Sequence, residues 1–333
     1  MWAYVLRKLL YNIPVYFGII LLMMAALRVN DPVNNYLGKH PTPEQRLALE
    51  KDMGLDQPFI VQYVRFIIHI PLLDFGDSWK YEGTTVRERL IRAVPPSLSF
   101  TVPTLLAAAM ISIVVSLVSA YYRGRPVDKT LMILAVLGMS VSYLVYIILG
   151  QFFGAFWPRE AQWNLAPFAI SGYEPWIGMK DVEGGGSAFF FSPATWVTYC
   201  LLPVIVGVIV AMGYDTRFYR AVMVEECTRD YITTALAKGA TKRKIMFVHM
   251  LKNALIPIVT RVMTTLPFLI TGSILLEMFF NIPGMGKTLI TAINDNDFPM
   301  IQGFVAVFAA VMILTIILTD VIYALVDPRV RLS

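Results

Sequence analysis

The run Gly284-Met285-Gly286-Lys287-Thr288 is the stretch of this chain most suggestive of chemistry, because it ends like a loop that cradles phosphate on backbone amides. That chemistry also needs a glycine at position 281, where the chain has Asn281, and a strand before the loop, where the sequence predicts an apolar helix. Asp74-Phe75-Gly76 imitates a kinase signature, but no His-Arg-Asp loop accompanies it. His40, His69 and His249, with Cys200 and Cys227, are too few and too scattered for a metal cage. No Ser-His-Asp pattern and no His-Glu-x-x-His stands out. The chain therefore predicts no enzyme, no cofactor and no metal. Two groups of residues remain. One is the charges Arg261, Glu277 and Asp320, which fall in apolar stretches. The other is the polar segment from Asp230 to Gly239.

The elements that carry these residues are apolar. Of 333 residues, 57% are hydrophobic and 15% charged, against roughly 45–50% and about 25% in ordinary globular chains. This composition excludes disorder, a collagen-like chain and a disulfide scaffold, and makes lipid the solvent. A net charge of +5 then speaks for membrane orientation rather than for nucleic acid. A membrane helix needs about 20 mostly apolar residues. Six segments qualify: 9–27, 98–121, 131–157 (long enough to tilt), 196–214, 256–280 and 301–325. The first is longer than a signal-peptide core, and its small pair Ala25-Ala26 lies inside the run, so an uncleaved helix is expected.

With the N-terminus inside, segments 1–8, 122–130, 215–255 and 326–333 carry 15 basic and 6 acidic residues, and the outer segments carry 12 and 15. The positive excess then faces the cytoplasm, as orientation rules require, and both termini lie there. Cys200 and Cys227 fall on opposite sides, so no disulfide is expected. Mid-helix charges cost at least ~2.5–3.5 kcal/mol. Arg261 and Asp320 each lie five residues from the inner end of a span, and are expected to face one another or to snorkel. Glu277, near an outer end, either lines a pathway or ties down the next loop.

The loops carry their own signals. Thr42-Pro43-Glu44-Gln45 reads as a capping box with proline at the first helical position, and Gly54 suits the stop. Pro58 opens a second apolar helix, 59–68, which fits a lid or a docking surface for an external partner. Residues 158–195, with Gly184-Gly185-Gly186, predict an irregular, mobile loop. In the inner loop 215–255, Asp230 is expected to cap a short helix over 231–238. Gly239 would stop it and Lys238 would complement its dipole. Thr241 would cap a second helix running towards Pro257. Ala235, Ala237 and Gly239 give the short helix a small face that could enter a cleft on another protein. The competing reading is a basic loop that only fixes topology. The expected organisation is 1–29 as tail and first span, 30–97 as an extracytoplasmic loop with short helices, and 98–333 as a five-helix core.

Asp230-Tyr231-Ile232-Thr233-Thr234-Ala235-Leu236-Ala237-Lys238-Gly239, followed by Lys252-Asn253-Ala254-Leu255-Ile256-Pro257, resembles the EAA loop of binding-protein-dependent ABC importer permeases. The chain is most similar to the B-type subunit of the dipeptide/oligopeptide/nickel permease family. Matching fragments run its length, from Leu6-Arg7-Lys8-Leu9-Leu10 through Gly54-Leu55-Asp56-Gln57-Pro58 and Asp74-Phe75-Gly76-Asp77-Ser78. Leu276-Glu277-Met278-Phe279-Phe280, Asp297-Phe298-Pro299-Met300 and Tyr323-Ala324-Leu325-Val326-Asp327-Pro328-Arg329 complete the series. Thr233 stands where the loop's eponymous glutamate would be.

The resemblance implies an all-α integral protein of the bacterial cytoplasmic (inner) membrane, with six transmembrane helices and a large outer loop between the first two. It would be a permease subunit forming half of an ATP-driven import pathway, with peptide as the expected solute. The implied partners are a second homologous permease, two ABC ATPase subunits that hydrolyse ATP, and an extracytoplasmic solute-binding protein. Asp230, Tyr231, Thr233, Thr234, Ala235, Ala237, Lys238 and Gly239 would form the coupling helix. An ion-coupled secondary transporter, broken at Pro267 and Gly272, and a non-transporting scaffold are the alternatives.

Overall fold

The computed structural model describes residues 2–29, 32–37, 42–161, 168–181, 187–271 and 273–326. In chain order the elements are α1 (Trp2–Leu27), α2 (Val33–Tyr36), α3 (Pro43–Asp52), α4 (Phe59–His69), α5 (Val86–Tyr121), α6 (Pro126–Ser140), α7 (Tyr143–Gln151) and α8 (Trp157–Glu160). A hairpin of β1 (Ile177–Asp181) and β2 (Ser187–Phe191) follows. Then come α9 (Pro193–Glu226), α10 (Asp230–Ala237), α11 (Lys242–Lys244), α12 (Leu251–Thr271), α13 (Ile274–Phe280), α14 (Met285–Asn294) and α15 (Phe298–Val326). Five of the described helices are long and apolar enough to cross a membrane, or six if the bent pair α6 and α7–α8 counts as one. The chain divides into two compact units, and the division falls inside α5 between Pro95 and Pro96.

The first unit holds residues 1–95, 270–274 and 283–333. Its frame is α1 packed antiparallel on α15. Tyr16 Oη donates to the Ala306 carbonyl at 3.1 Å, and Lys8 pairs with Asp320 near the other end. Ile20 and Met24 of α1 join Met300, Phe304 and Ala306 in one apolar cluster. The expected cap on α3 is present in full: Thr42 accepts from the Gln45 amide, and the Gln45 side chain accepts from the Thr42 amide. Gly54 ends that helix, with its amide on Lys51 and the Leu55 amide on Glu50. Asp297 fastens the start of α15. Ser78 Oγ donates to one of its carboxylate oxygens, while the amides of Trp79 (3.2 Å) and Met300 (3.4 Å) reach the other.

The second unit holds residues 96–269 and 275–282. Here α6 crosses α9 at two glycines. A Cβ on Gly213 would sit 2.9 Å from the Met139 amide nitrogen and 3.0 Å from the Ala135 carbonyl oxygen, so the backbones themselves are in contact. Small residues allow this approach, which gains dispersion contact where lipid gives little hydrophobic drive between helices.

Four expectations need correction. Residues 131–157 do not form one tilted helix, because α6 and α7–α8 meet at 93°. Val141 and Ser142 are extended there, and Ser140 Oγ turns back on the Val136 carbonyl, which is the behaviour of a serine-flanked helix break. The span expected over 256–280 is also interrupted, since α12 ends at Thr271 and α13 starts at Ile274; Gly272 lies outside the described residues. Finally, the loop 158–195 is not wholly irregular. Ile177 pairs with Phe191 and Asp181 with Ser187 in an antiparallel ribbon whose second strand is the β-favouring run Phe189-Phe190-Phe191. Gly184-Gly185-Gly186 fall outside the described residues. In addition, α5 starts at Val86, well before the expected Leu98.

The two glycines of the crossing predict an asymmetric result. Gly213→Ala should destabilise the fold by about 1–3 kcal/mol, because rigid backbone faces the new methyl. Gly138→Ala should be tolerated, since the nearest atoms to its Cβ stand at 3.8 Å. Thermal unfolding of both variants in detergent checks this; equal midpoints would show that the crossing is not tight.

Candidate functional site

The segment 215–255 begins on a helix that outruns a bilayer. α9 has 34 residues, about 51 Å at 1.5 Å per residue, against a hydrocarbon core of about 30 Å. The chain then turns at Cys227–Arg229 and forms α10. The expected helix is present, shifted by one residue: Arg229 occupies the N-cap with no side-chain cap, and Asp230 is the first helical residue rather than the cap. Asp230 still places its carboxylate at the positive end of the helix. The C-terminal stop is the expected one. Gly239 has φ +78°, its amide reaches the Leu236 carbonyl at 2.9 Å, and the Ala240 amide reaches Ala235 at 3.0 Å. Thr241 then caps α11, its side chain accepting from the Lys244 amide.

One edge of α10 is bound to the protein. Ile232 and Ala235 are buried in a cluster with Tyr219, Met223, Ile245 and Met250. Tyr231 Oη donates to Glu226 at 2.5 Å. Burial, then that carboxylate, pushes the Tyr231 phenol up to about 12, so it stays a donor at physiological pH. The opposite side, Thr233, Thr234, Leu236, Ala237, Lys238 and Gly239, is exposed. The structure thus brings together all the expected residues of the short helix but corrects the role of one. Ala235 faces inward and does not share the small outer face with Ala237 and Gly239. Leu236, 52% exposed, takes its place.

The charges in the apolar helices have partners within their own units. Arg261 Nε donates to Asp215 at 3.1 Å, and Asp320 pairs with Lys8. Glu277 is fully buried and accepts from Ser97 Oγ at 2.6 Å, while its own carbonyl accepts from the Ile282 amide at 2.9 Å, just where the next loop begins. The phosphate-loop imitation also dissolves. Gly284 caps α14, and the element before it is a helix. Phe75 of the kinase-like triplet is buried in the core of the first unit.

One polar centre escapes sequence reasoning. Asp128, with 5% of its side chain exposed, takes both Nε (2.7 Å) and Nη2 (2.8 Å) of Arg220, the Gly124 amide (2.9 Å) and the Ser119 hydroxyl. It ties the end of α5, the α5–α6 turn and α9 together. In the sequence, Asp128 and Arg220 are two charges among the many of the inner loops, and only their contact distinguishes them.

Long apolar helices, several of whose charged groups are paired with a neighbouring helix, define a multi-pass helical membrane protein. Residues 112–332 match the family described as binding-protein-dependent transport system inner membrane component. The chain belongs to that family, and is a multi-pass inner-membrane protein. Its relatives include the dipeptide transport system permease protein DppB of Escherichia coli strain K12, 31% identical with 99% of each chain covered. The protein of the same name in Bacillus subtilis strain 168 is 31% identical over 91% of this chain and 88% of its own. The glutathione transport system permease protein GsiC of Salmonella paratyphi A is 30% identical over 99% of each.

Breaking the Asp128 centre from one side should be costly. Arg220→Met leaves a buried carboxylate uncompensated and should lose about 3–5 kcal/mol. Adding Asp128→Asn should restore most of that loss. Unfolding midpoints of the single and double variants measure the coupling; additive losses would mean that the pair does not act as a unit.

Proposed function

We propose that this chain is one half of the translocation pathway of an ATP-driven peptide importer. A second, homologous permease completes the pathway, two cytoplasmic ATPases grip α10, and an extracytoplasmic binding protein delivers the solute. The family membership supports the machine, and relatives named for dipeptide and glutathione transport support the solute class.

The observation that carries the coupling role is the construction of α10. A lever must be stiff towards its own protein and free towards its partner. Ile232, Ala235 and the Tyr231–Glu226 hydrogen bond supply the stiffness, and the exposed face from Thr233 to Gly239 supplies the contact. Asp230, Tyr231, Thr233, Thr234, Ala237, Lys238 and Gly239 would then transmit ATPase closure, with Ala235 as the internal anchor. In this arrangement residues 30–97 form the extracytoplasmic cap, and residues 98–333, with the inner loop 215–255, form the core. α1 and α15 are antiparallel, with Lys8 and Asp320 paired near one end, and the basic excess supports a cytoplasmic position for that end. Arg261, Glu277 and Asp320 serve structure in this reading, each held by a neighbouring helix.

Gly239→Val tests the lever. No atom lies within 4 Å of a Cβ built on Gly239, so the variant acts through its left-handed backbone and not through a clash. A β-branched residue there is a conformational outlier costing about 1–2 kcal/mol. In proteoliposomes with all partners, uptake should fall while membrane insertion and ATP hydrolysis persist. Deleting Arg229–Lys244 should abolish retention of the ATPases during purification in mild detergent. A secondary carrier would instead transport alone on an ion gradient, and a scaffold would show neither behaviour.

A further inference from the structure

The helix α4 has three faces, and only two are used among the described residues. Phe59, Tyr63, Phe66 and Ile70 pack against the apolar cluster of the first unit. Gln62, Arg65 and His69 line a cavity of about 590 Å³, together with Arg28, Arg46 and Asp74. The third face is Ile60 (65% exposed), Val64 (46%), Ile68 (63%) and Leu72 (67%), one residue every fourth position, with Val61 (45%) beside them. Five aliphatic side chains in one stripe would be a liability in water.

The depth of α4 says what covers the stripe. Tyr63 Oη donates to the Phe17 carbonyl at 2.9 Å. Phe17 precedes Leu27, the end of α1, by ten residues, about 15 Å along the helix. A single tyrosine side chain cannot bridge that distance, so the backbone of α4 itself lies below the end of α1. Arg28, the first residue beyond α1, stands over the Phe59 ring at 5.2 Å from its centroid, and so fixes the start of α4 near the rim. The helix and the 3₁₀ turn that follows, Phe59 to Leu72, make roughly 22 Å, too short to span a core of about 30 Å. On α1, against which α4 packs, Leu21 and Leu22 are exposed as well.

We infer that α4 is a membrane-embedded helix that enters one leaflet against α1 and buries Ile60, Val61, Val64, Ile68 and Leu72 in acyl chains. Its polar edge, Gln62, Arg65 and His69, faces the cavity and the headgroup layer. The occupant of the stripe is lipid and not a protein partner. This division of polar and apolar faces is the one that interfacial helices use, with Arg65 able to snorkel.

Nitroxide scanning of the assembled transporter in lipid nanodiscs tests the assignment, with cysteines placed singly at Ile60, Val64, Arg65 and Ile68 after removal of Cys200 and Cys227. Collisions with oxygen should exceed collisions with a water-soluble nickel chelate at Ile60, Val64 and Ile68, and the order should reverse at Arg65. Nickel reaching Val64 and Ile68 as readily as Arg65 would overturn the inference, and so would shielding of the stripe from both reagents, which marks a protein cover. A second measurement needs no substitution. A photoactivatable phosphatidylcholine in the nanodisc should label the peptide holding residues 59–72 of the unmodified protein, and labelling confined to the long spans would overturn the inference equally.

Discussion

A charge carried into hydrocarbon must be matched, and the architecture follows from how this chain meets that demand. Lys8 with Asp320, Arg261 with Asp215 and Ser97 with Glu277 each join residues from different helices. None of these partners is close in sequence: even Asp215 and Arg261 are separated by 46 positions. Each match therefore fixes which helices are neighbours and at what register. Such groups are weak evidence of stability, because desolvation offsets the attraction. Their value here is specificity, since lipid tails give little preference for one apolar face over another.

Backbone groups obey the same rule. Lipid cannot satisfy a free amide or carbonyl, so irregular chain at membrane depth must be held by protein. The break at Val141–Ser142 follows the Gly138–Gly213 crossing, where α9 already lies against α6. Gln151 Nε2, further along, donates to the carbonyls of Ile170 and Phe279 at 2.9 and 3.0 Å, one of them the exposed end of α13. Gln151 is thus placed where one helix ends and another exposes its last carbonyls.

Much of this was legible in the sequence. Cap chemistry is local, so Thr42-Pro43-Glu44-Gln45, Gly54, Gly239 and Thr241 could be read from a few adjacent residues, and the structure keeps all four. Apolar run length located the long helices but not their breaks, because a serine-flanked kink barely alters mean hydropathy. Pairing was illegible for the opposite reason: it is non-local. Arg261 had acidic candidates of similar depth, and only packing selects Asp215. The motif fragments Asp74–Ser78 and Asp297–Met300 are short and unremarkable apart. The fold joins them, with Asp297 accepting from Ser78, Trp79 and Met300 and the Trp79 ring stacked on Phe298.

The short helix raises a point about which of its residues need to be constant. Thr233 replaces the glutamate for which such loops are named, and a charge-based contact would suffer from that loss. The geometry favours a mechanical reading instead. The anchoring side of α10 is specified by buried apolar contact and a charged hydrogen bond, and its stop by a left-handed glycine; none of these involves Thr233. In the proposed coupling role the fulcrum would be the buried edge of Ile232 and Ala235, which packs with Met223 and Met250. The outer face can then vary in chemistry, matched to whatever cleft receives it, provided that the inner edge and the turn keep their shape.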